Sequence, residues 1–426
     1  MNPFRNGLSA LTSRAACVAG VLALAACGSS QSSSGSAGGS SGSSGGSGGG
    51  KPIVIGVSLS ETGDFSDSGK ANKQGYTLWA NQVNAQGGLL GRKVQMKYVN
   101  DGSSAQQVVS NYQSLISGDH VDLVFGPFSS LLTIPSSEVA ARYGYAFVEP
   151  AGGSKEVFTR GLHNIFEAEP QAGYQDLLTY GRWLLSLPAS KRPKTAAYLS
   201  EQDPFLAPEV TALRQQLEAG GVKTLYNQTY PTENPDYSSL ALAMAHTKAD
   251  VAVLGVVVSD GVALTKGLIE DHYNPKAMLY TSGPDQGEEW VSKVGKQNVG
   301  GMANPIGWLP TVNTFGNKQF VQAYVQKYGG NVEGVPTDAA EAYSVGQVVQ
   351  QAVEAAHSVD NAKVLSALHS GMTFKTIQGD FSFNSAGEPQ GSIFVGQWVN
   401  GEFARVYPPA FAQVKPLYPK PAWGQS

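Results

Sequence analysis

Residues 53–59 read Ile53-Val54-Ile55-Gly56-Val57-Ser58-Leu59, and residues 84–94 read Asn84-Ala85-Gln86-Gly87-Gly88-Leu89-Leu90-Gly91-Arg92-Lys93-Val94. The first stretch is a short β-branched run, the pattern of a parallel strand buried on both faces. Between the two, Gly75, Leu78, Trp79 and Val83 share one helix face, and Gly87-Gly88 closes that helix. Lys93 to Val99 alternates Val94, Met96 and Tyr98, as a strand does. Val108, Val109, Tyr112, Leu115 and Ile116 then mark a second helix face. Val121 to Phe125 is another buried-type strand, ended by Gly126-Pro127, and Tyr145 to Val148 is the next. This β-α-β-α-β order predicts a parallel sheet covered by helices on both faces.

After Glu169-Pro170 the pattern restarts. Strands are expected at Thr195–Leu199, Val222–Tyr230, Val251–Val258 and Ala277–Tyr280. Helices are expected at Pro208–Ala219, Tyr237–His246 and Gly261–Asp271. Beyond Gly300 the chain turns helical, at Lys318–Tyr328, Asp338–His357 and Lys363–His369. It ends in strand-like segments at Gly379–Phe383 and Ile393–Trp398. Two α/β units in series suit a body that is too long for one hydrophobic core.

The N-terminal region has a different character. Arg5 and Arg14 precede a small-and-apolar stretch, Ala15 to Ala26, which ends Leu24-Ala25-Ala26-Cys27. A basic start, a short apolar run and small residues before a cut read as an export signal over 1–26. The run falls short of the roughly 20 residues a membrane-spanning helix needs. Residues 28–50 hold 11 Ser, 10 Gly, one Gln and one Ala, so 27–50 is read as a flexible tether that cannot form a core. Within it, Gly42-Ser43-Ser44-Gly45-Gly46 and Gly45 to Lys51 imitate a hydrolase elbow and a phosphate loop. Neither has the required strand-then-helix context, and both are rejected.

The ending Leu24-Ala25-Ala26-Cys27 resembles the lipobox of bacterial lipoproteins, which implies lipidation of Cys27 and a membrane-anchored, exported protein facing the periplasm or the cell exterior. The first 50 residues hold two of the 29 basic residues and none of the 33 acidic ones, so the body is more acidic than the chain's net −4. That argues against nucleic acid as a partner. Both cysteines, Cys17 and Cys27, lie in the N-terminal region. The body therefore has no disulfide, thiol nucleophile or thiolate metal site.

From Ile55 to Asp101 a family resemblance becomes specific. The markers are Ile55-Gly56-Val57, Glu61-Thr62-Gly63, Gly69, Gly75, the run Asn84 to Val94 and Asn100-Asp101. Further matches are Val124 to Ser130, Glu149-Pro150-Ala151, Ser282-Gly283-Pro284-Asp285 and Gly379 to Phe383. The body resembles the type I periplasmic binding proteins of the branched-chain amino acid class over Pro52 to Pro408. The resemblance implies an α/β fold of two Rossmann-like lobes with parallel central sheets, joined by three hinge crossings, with ligand between them. It places the crossings near Glu167–Pro170, Gly301–Pro305 and Ile377–Asp380. The N-terminal lobe would comprise 51–168 plus 306–376, and the C-terminal lobe 170–300 plus 380–426.

The expected site gathers at strand ends, where open α/β sheets bind ligands. The loop 126–130 leads a buried strand into a helix, whose free N–H groups attract an anion. A serine there caps the helix or donates its hydroxyl to ligand. By resemblance, Ser130 binds a ligand carboxylate, with Ser129 as its neighbour in a slipped register. Ala151 matches a position whose backbone binds ligand. Gly153 stands where a hydroxyl residue helps hold the ligand's amino group, with Ser154 as a substitute if the loop shifts. Asp285 matches an acid that takes the ammonium group of amino-acid ligands. Phe205 falls near an aromatic that packs on the ligand side chain. Val257 and Ser68 replace tyrosines frequent in leucine-type binders, which blurs a plain leucine, isoleucine or valine preference.

Catalysis finds little support. The histidines His120, His163, His246, His272, His357 and His369 are scattered and form no metal-ligand spacing. Glu288-Glu289 reads as the solvated face of a helix. No cofactor and no metal is expected. The functional expectation is the substrate-binding protein of an ABC importer, delivering an amino acid or related small carboxylate to a permease and its ATPase subunits. The alternatives are a sensor of the same fold, or a binder of amides, urea or aromatic acids.

Overall fold

The computed structural model describes residues 50–232 and 236–425. The export signal over 1–26, Cys27 and the tether to Gly49 lie outside these residues.

The first half alternates strand and helix. β1 (Ile53–Leu59), α1 (Ser66–Ala85), β2 (Val94–Asn100), α2 (Ala105–Gln113), β3 (Leu123–Phe125), α3 (Ser130–Arg142), β4 (Phe147–Glu149), α4 (Lys155–Thr159) and β5 (Ile165–Glu167) follow in order. The five strands form one sheet in the order β2-β1-β3-β4-β5, and every neighbouring pair is parallel. Ile53, Ile55, Val57 and Leu59 are fully buried, as the β-branched run predicts.

The second series is α5 (Leu177–Ser186), β6 (Thr195–Glu201), α6 (Leu206–Ala219), β7 (Lys223–Tyr230), α7 (Tyr237–His246), β8 (Val251–Gly255), α8 (Val258–Glu270), β9 (Ala277–Tyr280), α9 (Glu288–Val294) and β10 (Met302–Ile306). The chain then runs through α10 (Asn317–Tyr328), α11 (Thr337–Ala356), α12 (Asn361–Leu368), β11 (Phe374–Thr376), β12 (Gly379–Phe383), β13 (Pro389–Gln390), β14 (Phe394–Val399) and β15 (Glu402–Tyr407). The second sheet has the order β15-β14-β10-β9-β8-β6-β7. Its strands from β7 to β10 are parallel, while β14 and β15 join antiparallel.

The late helices return to the first sheet. α11 packs along α1, and the fit depends on Gly75, because a Cβ there would drive into the backbone carbonyl of Ala339. Trp79 lies on the same face, 1% exposed, with its ring 5.4 Å from Phe125 and its Nε1 donating to Gln350 at 3.2 Å.

Late in the chain β12 pairs with β11 and β13, and Phe381 and Phe383 sit in the core of the first sheet. The passage into the second sheet falls after β13, where Gln390 bridges to Gln171. Gln378 still touches the first crossing, donating to the Ala168 carbonyl at 2.8 Å. One sequence-based expectation is corrected by the structure: the strand expected at Val251–Val258 stops at Gly255. Val256 leaves the ladder to donate to Thr281 Oγ1 at 2.7 Å, and Val258 opens α8.

Away from the cleft, α2 is capped by Ser104, whose Oγ accepts from Gln107 N at 3.3 Å. Ser104→Ala is expected to lower stability by about 1 kcal/mol in denaturant titration and to leave ligand affinity unchanged. Among the described residues, no helix is long and apolar enough to cross a membrane.

Candidate ligand-binding site

The loops after β3, β4 and β5 meet those after β6, β8 and β9 around one cavity, with about 100 Å³ of free volume. Strand ends from both sheets supply its wall, as the topology demands. Seven of the nine expected residues line it: Ser129, Ser130, Ala151, Gly153, Phe205, Val257 and Asp285. Ser154 and Ser68 do not.

The α3 end is built by two serines with different duties. Ser129 caps the helix, its Oγ accepting from Leu131 N at 3.1 Å. It does so at φ +78°, a backbone region non-glycine residues seldom occupy. Ser130 is fully buried, and its Oγ accepts from Ser154 N at 3.0 Å. Ser154 thus clamps the 149–154 loop to the start of α3 from behind the wall. The Ser130 hydroxyl proton remains available to an acceptor in the cavity. Ala151 forms a bridge with Phe128, which fixes the backbone of the same loop.

The surroundings of Gly153 require a glycine. A Cβ there would collide with Oε1 of Glu167 and lie 2.6 Å from Gly173 N. The glycine makes room for a carboxylate at the place where the resemblance expects a hydroxyl side chain. Gly153→Ala is therefore expected to displace Glu167 and weaken ligand binding at least tenfold, measured by calorimetry.

From the second sheet come Phe205, Val257 and Asp285. Phe205 sets its ring edge against Gly173, and its N donates to Asp203 Oδ1 at 2.7 Å. Val257 precedes α8 and belongs to an apolar cluster with Phe65 and Leu206, so side chains attached to both sheets line the cavity from one cluster. Asp285 follows β9. Its Oδ1 accepts from Gly283 N at 3.1 Å and its Oδ2 from Gln286 Nε2 at 3.0 Å. Gln286 Nε2 also reaches Asp338 Oδ1 at 3.2 Å, and Thr337 Oγ1 donates to the Asp285 carbonyl at 3.1 Å. Nearby, Lys293 of α9 pairs with Asp67 of α1 at 2.9 Å. These contacts join the loop and helix after β9 to α1 and α11 along one rim. Ser68 acts indirectly, hydrogen bonding to Asp338.

Seven further acids stand on the wall that the sequence motifs do not single out: Glu167 and Glu169 at the end of β5, Asp176, Asp203 and Glu209 on the second-sheet side, and Asp338 and Glu341 on α11. No lysine, arginine or histidine among the described residues lines the cavity. Their protonation follows from that crowding. Burial pushes Asp285 up to about 6. Burial and the adjacent Asp285 push Asp338 up to about 7. Burial, with Asp338 and Asp285 nearby, pushes Glu169 up to about 8, and burial pushes Glu209 up to about 8. Burial and like-charged neighbours hold Glu167, Asp176 and Glu341 well above the usual carboxylate range. A faint signal exists in the sequence. Glu167 and Glu169 alternate within Ile165-Phe166-Glu167-Ala168-Glu169, and Glu341 stands among alanines three residues after Asp338, on one helix face.

Comparison with known proteins agrees with this architecture. The family model described as "Periplasmic binding protein" matches residues 52–402. The Leu/Ile/Val-binding protein homolog 3 of Brucella melitensis is 25% identical over 354 residues, covering 82% of this chain and 92% of that protein. The Leu/Ile/Val-binding protein homolog 7 of Brucella suis is 26% identical over 357 residues, covering 81% and 88%. Among solved structures, a solute-binding protein of an ABC transporter from R. palustris, in complex with benzoate, superposes with a TM-score of 0.74 at 18% identity, covering 87% of this chain and 98% of that one. The branched-chain amino acid transporter substrate-binding protein LivJ of Streptococcus pneumoniae, in complex with isoleucine, gives 0.72 at 19% identity, covering 83% and 97%. The two-lobed α/β fold, the cavity between strand ends of both sheets and the match over most of the chain lead to one assignment: this chain belongs to the periplasmic binding protein family, whose members bind solutes and are not enzymes.

Proposed function

We propose that this protein is the extracytoplasmic receptor of an ABC importer and captures a small α-amino acid between its two lobes. The observation that carries the reading is Ser130 and Asp285 facing one cavity from opposite sheets. The start of α3 and the Ser130 hydroxyl would take the ligand carboxylate. Asp285 would take its ammonium group. A ligand held from both sides favours the closed arrangement, because only differential affinity shifts such an equilibrium. The lobes are read as 51–168 with 306–376, and 170–300 with the C-terminal strands. Cys27 would be lipidated, and the Gly/Ser tether, with a span of roughly 26 Å, would hold the body near the membrane while leaving it free to meet the permease.

The wall also argues against a purely anionic aromatic solute. Among the described residues it offers acids and no base to pair with a second negative or π-rich group.

Thermal shifts of residues 51–426 test the reading against amino acids, their deaminated acids, amides, urea and aromatic acids. A ligand at 100 times its Kd adds about 2.7 kcal/mol of stability. Stabilisation by amino acids and none by their deaminated acids is expected. Stabilisation only by acids or amides would keep the binding-protein fold and remove Asp285 from the site.

A further inference from the structure

The cavity wall holds more acid than a single α-ammonium group can neutralise. Asp285, Asp338 and Glu341 form one group, the first two joined through Gln286. Glu167, Asp176 and Glu209 form a second, and Glu169 stands between the two. The second group is held by neutral donors alone: Gly173 N to Glu167 at 3.4 Å, Gln171 Nε2 to Asp176 at 3.1 Å and Leu177 N to Glu209 Oε1 at 2.8 Å.

Three acceptors on this wall have no partner. They are Glu209 Oε2, Glu341 Oε2 and Asn304 Oδ1, on residues only 2%, 8% and 1% exposed. A buried acceptor without a donor is costly, and a bound N–H group removes that cost. The orphan oxygens fall in both acidic groups, Glu341 in the first and Glu209 in the second. Glu167 adds a third indication, since Gly153 is shaped to admit its carboxylate. Among the described residues, no three such side chains are placed to hold a metal ion. Hydrogen-bonding organic cations fit the arrangement better.

We infer that the cleft selects a small solute carrying two cationic nitrogen groups, one at Asp285, Asp338 and Glu341 and the other at Glu167, Asp176 and Glu209. This rests on the solute-binding reading above and names the ligand class. With the carboxylate seat at Ser130, the matching solutes are short basic α-amino acids. A neutral aliphatic amino acid would leave the second acidic group unpaired.

The test is calorimetric titration of residues 51–426 with L-ornithine, L-lysine and L-arginine against L-norleucine, which has a methyl group where ornithine has its side-chain ammonium. At least one basic amino acid is expected to bind tenfold or more tightly than L-norleucine. The near-isosteric Glu209→Gln, checked for an unchanged fold by its melting temperature, should lower that preference at least tenfold. The amide keeps an oxygen for Leu177 N and removes only the charge. Glu167→Gln provides a second variant with the same expectation. L-norleucine binding as tightly as the basic amino acids would overturn the second cationic seat and leave the amino-acid reading intact. Binding of 1,4-diaminobutane, with no amino acid bound, would support two cationic seats and overturn the carboxylate seat at Ser130. Binding of no amino acid and no diamine would overturn both.

Discussion

Asp285→Ala is expected to weaken amino-acid binding by about 2–5 kcal/mol, the cost of truncating one partner of a buried, hydrogen-bonded charge pair. The fold should survive, and the empty protein should gain stability if it changes at all. Asp285 is surrounded by Asp338, Glu341 and Glu169, and each of these is raised in part by the charge at 285. Removing that carboxylate relieves repulsion in the empty cleft while it deprives the ligand of its partner. Calorimetry and thermal melts on the same sample separate the two effects. Unchanged affinity would mean that the carboxylate does not touch ligand. Loss of both affinity and melting temperature would mean that it holds the Gly283–Gln286 loop instead.

The empty protein is also expected to lose stability as pH rises. In the unfolded chain these carboxyls ionise near pH 4, at about 3.9 for Asp and 4.3 for Glu. In the folded protein Asp285 holds its proton up to about 6, Asp338 to about 7, and Glu169 and Glu209 to about 8. Below the unfolded values both states are protonated, and the contribution is fully present. As pH climbs toward 8, the unfolded state sheds protons that the folded state still binds, so the contribution is lost. Each tenfold gain in proton affinity on folding is worth about 1.4 kcal/mol, so the cluster changes stability by several kcal/mol between about pH 5 and pH 8. Melting temperatures of residues 51–426 without ligand should fall across that range. Asp338→Asn and Glu169→Gln should flatten the slope. A flat profile in the wild type would show that the cleft acids are solvated or paired. A cationic solute acts in the opposite sense: it favours the ionised acids, so its affinity should rise over the same interval.

Much of the fold is legible in the sequence because it rests on local pattern. The β-branched run at 53–59 and the spacing of Gly75, Leu78, Trp79 and Val83 each report one element and its buried face. The restart after Pro170 reports the second sheet. Long-range competition hides the rest. Val256-Val257-Val258 looks like a continuing strand, yet Thr281 captures Val256 and a helix begins. Phe381 and Phe383 pack in the first core beside residues distant in sequence, and no local pattern assigns them there.

The site divides in the same way. Ser129, Ser130, Ala151 and Asp285 lie in contiguous motifs at strand ends, so sequence can point to them. Glu167, Glu169, Asp176, Glu209, Asp338 and Glu341 occur singly or in pairs, and the return of α11 to the first sheet is what brings the last two beside the others. No local period marks that convergence. Ser68 and Ser154 stand one layer further from the cavity than the resemblance implies. One hydrogen bonds to Asp338 and the other donates its backbone N–H to Ser130, so both support the wall from behind.

The most direct test is a crystal structure of residues 51–426 grown with the amino acid that stabilises the protein best in the thermal panel. Ligand density is expected in the cavity, with the carboxylate at the start of α3 near Ser130 and the ammonium group within hydrogen-bonding distance of Asp285. An empty cavity with ligand bound elsewhere, or a ligand whose ammonium group points away from Asp285, would contradict the proposed mode of capture.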